Sequence, residues 1–199
     1  MMSRPKGTRI GWIKRISTDN PYPSRPSHPC SLSTDLLMKR LLLMRHAKSS
    51  WADGSLADFD RPLNERGLKA APLVGRFMRR RRLRPDLILC SPAERARQTA
   101  ALVARAAGLS APLRYDERIY EATAERLAEV VSQVEEGADE LLLVGHNPGL
   151  EGLLELLTGE SQHMPTAALA RLLLDIEKWG KLGEGAGRVE LFVRPKELA

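Results

Sequence analysis

The stretch LLLMRH, residues 41–46, decides the fold: Leu41, Leu42, Leu43 and Met44 run without interruption into the guanidinium of Arg45 and the imidazole of His46. An unbroken apolar run of this length, with no polar alternation, suits a strand buried on both faces. Its abrupt polar end lies where ligands gather in open α/β sheets, beyond the carboxyl ends of the strands. Two further runs have the same form. Asp86 to Cys90 leads to Ser91, Pro92 and, about one helical turn on, Arg95. Glu140 to Gly145, with Leu141, Leu142, Leu143 and Val144 at its centre, leads to His146 and Asn147.

Between these runs the period lengthens to that of a helix, and such alternation predicts a single-domain three-layer α/β sandwich, a mostly parallel central sheet flanked by helices. Asn64 to Arg81 reads as a helix capped by Asn64, and its basic end, Arg79 to Arg82, suits the carbonyl end of the helix dipole. Pro92 to Ala107 reads as a helix stopped by Gly108. Leu113 to Ile119 reads as a strand and Thr123 to Glu136 as a helix. Pro148 to Leu157 reads as a helix with Pro148 in its first turn. Ala168 to Ile176 and Arg188 to Val193 read as a hairpin closing the sheet, with Gly183, Gly185 and Gly187 in the turn between them.

The 199 residues suffice for one compact domain, and 43% hydrophobic with 28% charged residues is the composition of a globular protein. No apolar run approaches the roughly 20 residues that a membrane helix needs. The formal charge of +6 is concentrated at the front: residues 1–37 carry six Lys/Arg against Asp19 and Asp35, leaving +2 for residues 38–199. The near-neutral body argues against a nucleic-acid surface. Residues 1–37, rich in Pro and without a sustained apolar period, are expected to be a disordered basic tail. A basic amphipathic targeting stretch around Arg9, Trp12, Lys14 and Ile16, or a start of synthesis at Met38, are the other readings of this segment. Cys30 and Cys90 make neither a disulfide framework nor a zinc site, which points to a reduced cytoplasmic setting and requires no metal.

The chemistry lies just beyond the three runs. Two guanidiniums, Arg45 and Arg95, whose forks match phosphate oxygens and whose charge persists at neutral pH, meet two imidazoles, His46 and His146, on one edge of the sheet. A histidine in that company can attack phosphorus through an unprotonated ring nitrogen while a backbone acceptor holds the other. Such a group is suited to phosphoryl transfer through phosphohistidine. Cys90, beside Ser91, lacks the glycine-rich loop of a cysteine phosphatase and reads as a small buried hydrophobe.

The segments LLLMRHAKSSW (41–51), SPAERARQTA (91–100), RIYEA (118–122) and LLLVGHNPGL (141–150), in that order, resemble the histidine phosphatase superfamily, which includes the phosphoglycerate mutases. RPLNERG (61–67) and the ending PTAAL, WG and FVRPKEL are similar to its SixA-type phosphohistidine phosphatases. The resemblance spans nearly everything from Met38 to Leu198 and departs from many relatives in having Ala47 where they carry glycine. It implies a phosphoglycerate mutase-like fold without cofactor, in which His46 is the nucleophile, Arg45 and Arg95 bind phosphoryl oxygens, and a protonated His146 stabilises them. Glu121 matches the position of a proton donor in relatives, with Asp53, Asp58 and Asp60 as rivals. Arg61 and Ser49 are candidates for further substrate contacts, although Arg61 reads equally well as a salt-bridged anchor of its loop. Trp51 reads as a packing lid.

Only 25 residues separate Arg95 from Glu121, too few for a large helical cap, so an open site is expected. That favours hydrolysis of phosphohistidine in a protein such as a histidine-containing phosphotransfer domain. A small-molecule phosphomonoesterase is the first alternative. A non-catalytic phosphate- or nucleic-acid-binding module using the Arg79 to Arg84 run is the second.

Overall fold

The computed structural model describes residues 38–198; the expected tail over residues 1–37, with its basic stretch and Cys30, lies outside the described residues. Six strands form one sheet in the order β3-β2-β4-β1-β5-β6. They are β1 (Lys39–Arg45), β2 (Leu87–Cys90), β3 (Leu113–Tyr115), β4 (Glu140–Gly145), β5 (Leu169–Leu174) and β6 (Gly187–Val193). β1, β2, β3 and β4 pair in parallel, whereas β5 and β6 add an antiparallel hairpin beside β1. Helices α1 (Glu65–Arg81), α2 (Glu94–Ala107), α3 (Ala124–Ser132) and α4 (Gly149–Thr158) cover the sheet.

The apolar runs divide between two cores because successive strand side chains point to opposite faces. Leu41, Leu43, Leu141 and Leu143 pack on the side of α3 and α4, around Leu127, Leu150, Leu154 and Trp179. Leu42, Met44, Leu142 and Val144 pack on the other, against Val74 and Met78 of α1 and Ala100 and Val103 of α2. Both faces of β1 and β4 are therefore dry, which is why their sequences show no polar alternation.

Local chemistry sets the helix ends. Asn64 accepts a hydrogen bond from the Gly67 amide at 2.9 Å, and α1 tolerates Pro72 in its interior. Arg79, Arg80, Arg81, Arg82 and Arg84 are all exposed at or beyond its carbonyl end. Gly108 closes α2 in the left-handed region, with φ of 68°, where a residue without Cβ is unstrained.

Several boundaries differ from expectation: α2 begins at Glu94 and not at Pro92, β5 spans only Leu169–Leu174 of the expected Ala168 to Ile176, and Gly187 opens β6 instead of lying in the turn before it. The third strand ends at Tyr115, because Asp116 caps a 3₁₀ turn over Glu117–Ile119 by accepting from the Arg118 amide; a short side chain that bonds its own backbone competes with the ladder. α3 stops at Ser132, whose hydroxyl donates to the Glu129 carbonyl at 2.7 Å. Pro148 precedes α4 at its cap position and joins Asn147 through a cis peptide.

Gly149 sets how closely the loop after β3 approaches α4. A Cβ there would lie 2.1 Å from the Ala122 carbonyl oxygen, a backbone clash that no rotamer relieves. Gly149→Ala is expected to cost about 1–3 kcal/mol by overpacking, read as a lowered Tm. Gly137→Ala, where a Cβ meets nothing within 4 Å, serves as the control. Equal melting temperatures for the two variants would refute this account of the glycine.

Candidate active site

The carboxyl ends of β1, β2 and β4 bring the four residues together. Parallel pairing sets Arg45 opposite Gly145, and the His46 amide donates to the Gly145 carbonyl at 3.0 Å. The next residue on each strand is then a histidine, and the rings of His46 and His146 lie 5.0 Å apart, tilted by 49°. The third contribution comes from the first turn of α2. Thr99 Oγ1 donates to the Arg95 carbonyl at 2.6 Å and accepts from the Ala47 amide at 2.9 Å, tying the start of α2 to the residue after His46. His46, His146 and Arg95 are buried.

Hydrogen bonding fixes the state of His46. Its Nδ1 lies 2.8 Å from the Ala47 carbonyl oxygen, which can only accept, so Nδ1 carries the proton and Nε2 keeps its lone pair. Burial lowers its pKa to about 4, opposed by the Ala47 bond and reinforced by the charges of Arg95 and Arg45. Burial likewise takes His146 down to about 3, with further lowering from His46 and Arg95. Both rings are therefore neutral at pH 7, so His146 is not the protonated donor that the resemblance implies: burial leaves it a neutral ring with a single N–H to donate. His146 Nε2 lies 2.8 Å from Ser91 Oγ. Its Nδ1 and the Nε of Arg45 are buried without a hydrogen-bond partner among the described residues, whereas buried polar groups are ordinarily paired.

Asp58 is the carboxylate nearest this group. One of its oxygens accepts from Arg95 at 2.8 Å and from the Tyr120 hydroxyl at 3.0 Å. The other accepts from Arg61 at 2.6 Å, and the Asp58 carbonyl takes a second bond from Arg95. Burial pushes its pKa up, but the bonds from Tyr120 and Arg61 and the charge of Arg95 outweigh this and hold it below the usual carboxylate value. Asp58 is thus an ionised counterion lying on the guanidinium expected to bind phosphate. Tyr120 packs edge-on against His146, with ring centroids 5.5 Å apart.

The remaining candidates are spread more widely. Glu121 sits on an exposed turn with φ of 49°, and among the described residues its carboxylate makes no hydrogen bond to the four. Asp53 bonds Ser55 within its own exposed loop, and Asp60 is exposed. Arg61 is buried and directs its donors to Ser50 O, Asp58 and the Ser49 hydroxyl. This geometry matches the anchoring reading, and it engages Ser49 as well. Trp51 is not packed as a lid: it is 73% exposed, with one face stacked on Arg61 at 3.1 Å and nothing among the described residues to bury the other. Cys90 is fully buried, and burial pushes its thiol up to about 12. Residue type alone does not single out Tyr120 or Thr99. Thr99 stands four residues after Arg95, on the same helix face, which is the one sequence signal that marks it.

Among the described residues no group of three or more His, Cys, Asp or Glu is arranged to hold a metal, and no helix is long and apolar enough to cross a membrane.

Comparison with known proteins gives three consistent results. A family model described as histidine phosphatase superfamily (branch 1) matches residues 41–123. The uncharacterized protein Rv1276c of Mycobacterium tuberculosis (strain ATCC 25618 / H37Rv) is 43% identical over 118 residues, which is 59% of this chain and 72% of that protein. The crystal structure of a candidate phosphohistidine phosphatase SixA from Agrobacterium tumefaciens shares 36% identity, with a TM-score of 0.67 over 79% of this chain and 98% of that one. A candidate SixA from Nakamurella multipartitia shares 29% identity, with a TM-score of 0.70 over 79% and 96%.

The depressed imidazole pKa values carry a sign. Between the ordinary value of 6.5 and about 4 the unfolded chain binds protons at both histidines that the folded chain does not, so stability falls as pH falls through that window. NMR titration of ¹⁵N-labelled imidazoles is expected to find both neutral at pH 6. A midpoint near 6.5 for either ring would contradict the described burial.

Proposed function

The chain belongs to the histidine phosphatase superfamily, in its SixA-type branch, and we propose that it is a phosphatase working through a phosphohistidine on His46 to remove phosphate from a phosphorylated histidine in a protein. The observation that carries this reading is the state of His46. A ring with Nδ1–H fixed to a backbone carbonyl presents an unprotonated Nε2 beside two guanidiniums and a second imidazole.

In the proposed first step the Nε2 lone pair attacks phosphorus in line, and the bond from phosphorus to the leaving nitrogen breaks. Arg45 and Arg95 bind the phosphoryl oxygens, and His146 donates from Nδ1, the Ser91 hydroxyl donating in turn to Nε2. Arrival of the phosphoryl group displaces the Asp58 carboxylate from Arg95, one anion replacing another. In the second step water attacks phosphorus, the N–P bond breaks, and Nε2 regains its electron pair as inorganic phosphate leaves. Positioning and preorganised charge supply the rate enhancement.

The leaving group supports the choice of phosphohistidine. Asp58 is held ionised, and among the described residues the Glu121 carboxylate makes no hydrogen bond to the four, so neither is placed as a proton donor in the resting protein. An alkoxide would need such an acid, whereas a phosphorylated imidazole brings its own ring proton. The surroundings support a protein as its bearer. Between α2 and α3 the chain holds only β3 and one 3₁₀ turn, so this connection provides no cap among the described residues. The adjoining loop exposes Trp51, Leu56 and Phe59, apolar groups suited to contact with another folded surface.

The test is phosphate release by the full chain from a phosphorylated phosphotransfer domain, set against a panel of sugar and nucleotide phosphates. The phosphoprotein is expected to have the highest kcat/KM, with radiolabel trapped on His46. His46→Ala is expected to lose on the order of 10³-fold or more; undiminished activity would reject the mechanism, and faster turnover of a small phosphate would reassign the substrate. Glu121→Gln is expected to change hydrolysis of an alkyl phosphate and of phosphohistidine each by less than about threefold. A loss on the order of 10²-fold confined to the alkyl phosphate would show that Glu121 supplies the proton and would remove the leaving-group argument.

A further inference from the structure

Beside the four residues lies a second cavity, of about 240 Å³, that none of them lines. Its rim carries the cations Lys48, Arg66, Arg194 and Lys196 together with His163, and among the described residues no carboxylate lines it. Its remaining wall is apolar or uncharged, from Ala70, Pro165, Thr166 and Pro195. Two of the basic groups have acidic partners: His163 bonds Glu151 at 2.8 Å and Arg194 meets Glu197 at 3.3 Å. Lys48, Arg66 and Lys196 form no ion pair among the described residues, so the cavity keeps a net positive charge.

Chain connections join it to the site. Lys48 lies two residues beyond His46, a span of at most about 7 Å of backbone. Thr166 precedes Ala167, whose amide donates to the carbonyls of both Arg45 and His46 at 3.1 Å. Pro165 comes directly after Met164, whose carbonyl accepts from Arg45 Nη1 at 2.9 Å. A group bound in the cavity would therefore lie a few residues' length from phosphorus.

We propose that this cavity is a docking subsite for an acidic side chain of the phosphoprotein substrate. The inference rests on the phosphohistidine reading and adds a selectivity element to it. Charge complementarity selects the occupant. A rim with three cations unpaired among the described residues and an uncharged wall accommodates a carboxylate on an aliphatic stem. The electrostatic contribution acts chiefly on encounter and binding, so the preference falls on KM more than on kcat.

The experiment uses the full chain and paired phosphohistidine peptides that carry either Glu or Gln at positions two to four residues from the phosphorylated histidine. Three exposed charge pairs predict a preference of about 3–10-fold in kcat/KM for the Glu peptide at low salt. The preference is expected to be lost in the exposed-residue double variant Arg66→Gln/Lys196→Gln, with turnover of the Gln peptide and of p-nitrophenyl phosphate unchanged. Equal kcat/KM for the two peptides, or a preference that survives in the double variant, overturns the subsite. A second readout is independent of the phosphohistidine reading: NMR titration with unphosphorylated hexaglutamate is expected to shift the amides of Lys48, Arg66, Thr166 and Lys196, and the absence of localised shifts also overturns it. Should p-nitrophenyl phosphate be hydrolysed and neither peptide be, the substrate reading fails, while the hexaglutamate titration still decides the subsite.

Discussion

The site depends on the register in which β1 pairs with β4. Arg45 stands opposite Gly145 and the His46 amide reaches the Gly145 carbonyl, so the two histidines leave their strands side by side. A slip of one residue would move every side chain of a strand to the opposite face. Slippage is opposed at the ends of the runs, where it would draw a flanking polar residue such as Arg40 or Glu140 into a position now held by one of the buried residues Leu41 to Met44 or Leu141 to Val144. The energy that fixes the imidazole pair is therefore the hydrophobic burial of residues that never approach a ligand. Gly145 itself fits that role, since a Cβ there would come within 3.3 Å of Ile119.

Burial of the site has an electrostatic consequence. Desolvation keeps both imidazoles neutral, and the nearby guanidiniums act in the same direction. Permanent positive charge and a free nitrogen lone pair thus coexist within one cluster, a combination that in water would be screened and partly lost to protonation. The tautomer is set by a bond within the same dipeptide, from His46 to the Ala47 carbonyl, so it does not depend on a distant partner.

Much of this is legible in the sequence, for physical reasons that also mark where legibility ends. β1, β2 and β4 declare themselves because a strand buried on both faces has no room for polar alternation. Arg45, His46, Arg95 and His146 stand at or just past the carboxyl ends of those strands, where polar side chains interrupt the apolar runs. β3 reads too long because its apolar content continues to Ile119, while Asp116 turns the backbone out of the ladder. The role of Asp58 as counterion is beyond the reach of sequence. It bonds Arg95 and Tyr120 across 37 and 62 residues of chain, and a contact between two loops leaves no period in either. Trp51 misleads for a related reason: a large aromatic residue usually signals burial, but here one face rests on Arg61 and the other meets solvent.

On the proposed reading, the carboxylate of Asp58 resting on Arg95 competes with the phosphoryl group for the same guanidinium. A tethered anion on a short loop is present at an effective concentration on the order of millimolar, against which every free oxyanion in solution must contend. Inorganic phosphate and sulfate, held by a few contacts, would be turned away at ordinary background levels. A phosphoryl group carried on a larger surface brings additional contacts and can afford the displacement. The reaction's own product, stripped of that surface, would be among the anions least able to linger.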